Sequence, residues 1–210
     1  MVETLEFPDV GVLKYETETA DRYRFFTHLV LESGDKKNNI LSLLPPSWIM
    51  LDGRASFSSD AGEKRIYLKG KKESDWVFTT LHEIGHANQA LTPGFSIDIN
   101  RDAYEGFMLS ESWINPALLI YVLENEFSAW DFVIQKVNEW SLSPNVRERL
   151  DVCIMKFGGL ESYVNGATTG YRIEQASKNA GIQEEELKKQ LLNLYDSWLI
   201  RNGLKTADIS

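Results

Sequence analysis

Residues 75–89 read DWVFTTLHEIGHANQ, and they decide how the rest of the chain is understood. They contain His82, Glu83, Ile84, Gly85 and His86, an HExxH set within an apolar periodic stretch. Val77, Leu81, Ile84 and Ala87 or Asn88 follow the spacing of one buried helical face, and Asp75 or Ser74 suits the N-cap. On a helix, residues four apart stand one turn above each other. His82 and His86 can therefore offer two imidazoles to one metal ion. Glu83 lies beside that ion rather than bound to it, placed to take a proton from a metal-bound water. Glycine costs roughly 1 kcal/mol inside a helix, so Gly85 between the two histidines either marks close approach by another backbone or is incidental.

A second helical signal lies downstream at residues 121–140, YVLENEFSAWDFVIQKVNEW. Trp130, Val133, Val137 and Trp140 form an apolar stripe. One turn earlier that stripe reaches Glu126. A carboxylate on a buried face is costly unless it is paired or bound to a metal. Glu124 lies about 200° round the helix, with Ser128, Asp131, Gln135 and Asn138. Glu126 is the expected third ligand, and Glu124 is expected to be solvated or to support the ligands.

HEIGH at 82–86, followed by Asn125, Glu126 and Trp130 on a helix, resembles the gluzincin branch of the zincin metallopeptidases. The resemblance implies a zinc ion held by His82, His86 and Glu126, and hydrolysis of peptide bonds with Glu83 as general base. Trp130 departs from the family pattern, standing where an acid would orient a ligand histidine; Asp131 or Asn88 could take that role. The metzincin pattern is excluded, because Gln89 and Thr92 replace its glycine and third histidine. The implied fold is α+β and zincin-like: a small N-terminal sheet with a backing helix and the active-site helix, then a mostly helical C-terminal lobe. The expected division is residues 1–92, and residues 93–210 supplying the third ligand, within one catalytic domain.

Composition is compatible with this. The 210 residues are 43% hydrophobic, enough for a substantial core. The net charge of −9 argues against nucleic-acid backbones and anionic membranes as partners. A peptide or protein is the expected substrate. No apolar run approaches a membrane span, and the acidic start shows no signal peptide. The expected location is therefore cytoplasmic. The single cysteine, Cys153, excludes an internal disulfide and reads as a buried apolar residue.

The remaining segments carry weaker expectations. Residues 10–15 read as a strand and residues 20–32 as the backing helix, with Tyr23, Phe26 and Val30 on one face and His28 incidental. Residues 47–51 and 65–69 read as strands, the latter with Gly70 as a sheet edge able to pair with an extended peptide. Asn115 and Pro116 open a helix; residues 159–170 read as a loop. Residues 172–179 and 184–201 faintly resemble a helix-turn-helix. Glu184, Glu185 and Glu186 would repel phosphates, so the better reading is a closing helix with Leu187, Leu191, Leu194 and Trp198 on the core. Tyr104, Tyr163 and Tyr171 are candidate donors to a transition-state oxyanion. Two alternatives remain: a non-catalytic or regulatory protein retaining a structural zinc site, and a protease restrained by its own loop or tail.

Overall fold

The computed structural model describes residues 2–7, 10–54, 58–69, 75–140, 142, 144–154 and 160–204. These residues form an α+β protein with a seven-stranded mixed sheet and seven α-helices. They fall into two compact units, residues 1–95 with 128–153, and residues 96–127 with 154–210.

The first unit holds the sheet. Strands β1 (Glu3–Phe7), β2 (Gly11–Ala20) and β3 (Tyr23–Ser33) are antiparallel neighbours. The long β3 also pairs with β4 (Lys36–Asn39) through its second half and with β5 (Ile49–Arg54) through its first. Next come β6 (Ser58–Asp60) and β7 (Arg65–Lys69); β7 is parallel to β5 and antiparallel to β6. Helix α1 (Trp76–Gln89) packs against β6 and β7. The Trp76 ring stands 6.0 Å from that of Phe26 on β3, joining helix to sheet. Helix α4 (Pro144–Val152) also belongs to this unit.

Residues 20–32 are not the expected backing helix. They turn at Asp21, which adopts a left-handed φ of 53°, and return as β3. The misreading has a specific cause. Glu16 pairs with His28 and Thr17 with Phe26, so Thr27 is an extra, bulged residue. The bulge moves the inward set from Phe26 to Leu29 and Leu31, all buried. An inward spacing of three across a bulge mimics a helical face. His28 is exposed on this strand.

The sheet edge also differs from expectation. Strand β7 lies between β5 and β6, so β6 takes the edge. Ile66, Tyr67 and Leu68 are all buried, as suits a strand flanked on both sides. The earlier strand begins at Ile49 rather than Ser47, whose φ is 70°. Gly70 and Ser74 lie outside the described residues.

The second unit is helical. Helix α2 (Ile97–Leu109) occupies a stretch with no clear pattern and is capped by Ser96, whose hydroxyl accepts from the Ile99 N–H at 3.3 Å. Helix α3 (Pro116–Glu139) begins as expected, with the Asn115 side chain accepting from Leu118 N–H at 3.1 Å. The division between the two units falls within α3, after Phe127. Helices α5 (Leu160–Thr168), α6 (Gly170–Ala180) and α7 (Glu184–Arg201) pack on one another. Helix α5 replaces the expected loop at 159–170. Leu187, Leu191 and Trp198 of α7 are buried; Tyr195 takes the core position expected of Leu194, which is half-buried. Phe127 stacks 5.2 Å from Trp198. Glu184, Glu185 and Glu186 are exposed. No helix among the described residues is long and apolar enough to cross a membrane.

Deleting Thr27 removes the bulge and leaves Phe26, Leu29 and Leu31 at the two-residue spacing of one strand face. The expected loss is about 1 kcal/mol or less, measured by denaturant unfolding, whereas Leu29→Ala should cost about 2–5 kcal/mol.

Candidate metal centre

Helix α1 is buried on nearly every side. Its apolar residues Trp76, Val77, Phe78, Leu81, Ile84 and Ala87 are at most 1% exposed. Asp75 precedes the helix but makes no side-chain capping bond. Stability of α1 therefore comes from packing, which sets its rotation and with it the direction of His82, Glu83 and His86. Asn88 donates to Leu43 O at 3.2 Å and to Ile84 O at 2.9 Å, anchoring the end of the helix.

The C-terminal half of α3 lies directly against α1. A Cβ built on Gly85 would stand 2.8 Å from the carbonyl oxygen of Ala129 and 2.9 Å from its Cα. Any side chain at 85 would drive the helices apart. The close approach implied by a glycine between two histidines is thus made by the backbone of α3. It also brings the Trp130 ring to 4.4 Å from the His82 imidazole, tilted by 35°.

The two histidines turn their Nε2 atoms toward one point, 3.1 Å apart. Ligands about 2.0–2.1 Å from a tetrahedral ion are separated by roughly 3.3 Å, so this spacing needs little adjustment. Glu126 lies on α3 one turn before Trp130. It is 2% exposed, whereas Glu124 is exposed, as the apolar stripe requires. Each of His82, His86 and Glu126 offers a ligand atom, and these atoms all lie within 4.8 Å of one another. Among the described residues this is the one such group of three, and it could hold a metal ion.

Residues around the ligands complete the arrangement. His86 Nδ1 stands 3.1 Å from Gln89 Oε1, a partner that the sequence reading did not name. Its signal is the i, i+3 spacing from His86. The Tyr104 hydroxyl donates to Glu126 Oε1 at 2.7 Å. Of the other tyrosines, Tyr163 stacks on Phe107 at 5.6 Å and Tyr171 is 47% exposed. Glu83 is buried beside His82, at 8% exposure. His28 lies outside the metal-binding group.

Cys153 is buried too. Burial foremost, with the Asp75 carboxylate adding to it, pushes its thiol from 9.0 up to about 12. No family model matches the chain, and neither a curated protein nor a solved structure matches it.

Two outcomes follow. Gly85→Ala should cost about 1–3 kcal/mol by overpacking, read by denaturant unfolding. The native Cys153 thiol should resist a disulfide reagent at pH 8 and react once denaturant is added. The folded state holds this proton more tightly, so its contribution to stability is intact below 9 and is lost as pH rises towards 12.

Proposed function

We propose that the protein is a zinc-dependent metallopeptidase of gluzincin type, with His82, His86 and Glu126 as metal ligands and a peptide or protein as substrate. The observation that carries this reading is a buried carboxylate grouped with two imidazole nitrogens beside the acid of an HExxH set. A buried anion needs compensation, and a divalent cation among these three ligands supplies it. Two imidazoles and one carboxylate suit zinc. Three protein ligands leave the fourth tetrahedral position open, as in catalytic rather than structural sites.

Zinc, when bound, supplies a Lewis acid that makes water a nucleophile near neutral pH and polarises a carbonyl. Glu83 takes the proton from the attacking water and delivers it to the departing amine. Tyr104, already within hydrogen-bond reach of a ligand carboxylate, is the best-supported oxyanion donor of the three tyrosines.

A second reading is a non-catalytic protein with a structural zinc ion. It is favoured by the low exposure of His82 and Glu126. Three variants, measured beside the parent, separate the readings. Zinc-loaded protein should cleave unfolded casein, and Glu83→Gln should lower that rate by about 10²–10⁴-fold while keeping the metal. Elemental analysis should show metal lost from Glu126→Ala and retained in Glu124→Ala. Zinc retained by Glu126→Ala would remove Glu126 as a ligand. Stoichiometric zinc without cleavage in the parent would leave the structural reading.

A further inference from the structure

We infer that Gln89 is a positioning residue for His86: its carboxamide oxygen holds the Nδ1 proton of that imidazole and turns the Nε2 lone pair toward the metal-binding group. The inference rests on the metal-site reading above and concerns a role that the family pattern gives to an acid.

Gln89 is the last residue of α1 and lies three residues beyond His86, on a neighbouring part of the same face. The contact is between His86 Nδ1 and Gln89 Oε1 at 3.1 Å. A carboxamide oxygen only accepts hydrogen bonds, so the proton of this contact belongs to Nδ1. A neutral imidazole carries one proton. Nε2 of His86 is then the acceptor in its 3.1 Å contact with His82 Nε2, and His82, the donor there, gives up that proton when an ion binds. The opposite tautomer would place a proton on Nε2, in the path of the ion. Gln89 thus selects the form of His86 that can coordinate before any metal arrives.

The chemical consequence concerns charge. A carboxylate behind a ligand histidine raises its basicity and adds a negative charge near the ion. A carboxamide fixes the tautomer without adding charge. Glu126 remains the only anionic member of the ligand group, which keeps the ion a stronger electrophile. On the other histidine, Trp130 stands where the family has an acid, and its ring lies against His82. Neither contact adds an anion.

The test uses ¹⁵N-histidine-labelled full-length protein. Only three histidines are present, and exposed His28 serves as the reference imidazole. Long-range ¹H–¹⁵N correlation spectra of metal-free protein should show His86 with its proton on Nδ1. Gln89→Met keeps the length but lacks the acceptor. It should shift His86 toward the Nε2-protonated form and weaken zinc binding by about 10–100-fold, measured against a chelator. Gln89→Glu restores an acceptor and should recover the Nδ1 form with zinc affinity at least that of the parent. An unchanged unfolding midpoint of the metal-free Gln89→Met protein shows that its fold is intact. The inference is overturned if the parent carries its proton on Nε2, or if Gln89→Met keeps both tautomer and affinity. Should no form bind zinc while the Nδ1 proton still depends on Gln89, the positioning stands and the metal reading fails.

Discussion

Two helices meet at Gly85 and Ala129 without room for a methyl group, and the site depends on that contact. Helix α1 is clamped between the sheet and the second half of α3. Its burial on several sides leaves it no freedom to rotate, since interiors are packed like crystals. Close approach then puts the Trp130 ring on His82. One turn earlier along the same helix stands Glu126. A bulkier residue at 85 would displace α3 and with it the registration of donor atoms. The fold thereby uses a residue poor for helix formation to place two helices at a spacing that larger residues forbid.

The ligand group combines burial with little fixed charge. Glu126 is its one carboxylate, and its Oε1 already accepts from the Tyr104 hydroxyl. The two imidazoles face each other through Nε2, with Gln89 behind one and Trp130 against the other. Buried polar groups need partners. In this centre the Tyr104 hydroxyl and the Gln89 carboxamide are two such partners.

The N-terminal region shows where sequence patterning misleads. Tyr23, Phe26 and Val30 have helical spacing, yet the chain there is a strand: of the three only Phe26 is buried, and the inward set continues past the bulged Thr27 to Leu29 and Leu31. Strand β7 reads as an edge because it is the last strand before α1, but chain order does not set sheet order. The three residues of β6, too short to recognise, close that side. Helix α2 lacked a readable stripe: Ile97, Ile99, Met108 and Leu109 are exposed, while Ala103, Gly106 and Phe107 are buried.

The sequence by itself determined which side chains could meet. Helical periodicity puts His82 and His86 on one face, and it separates buried Glu126 from exposed Glu124, because a helix repeats every 3.6 residues whatever surrounds it. The same local rule placed α1, α3 and α7 nearly to the residue. Only the tertiary structure decided that Gln89 would stand behind His86 and Tyr104 against Glu126. It also made Tyr23–Ser33 a strand. Side-chain rotamers, long-range contacts and a bulge each depend on what packs against the chain, and one-dimensional spacing carries no record of that neighbour.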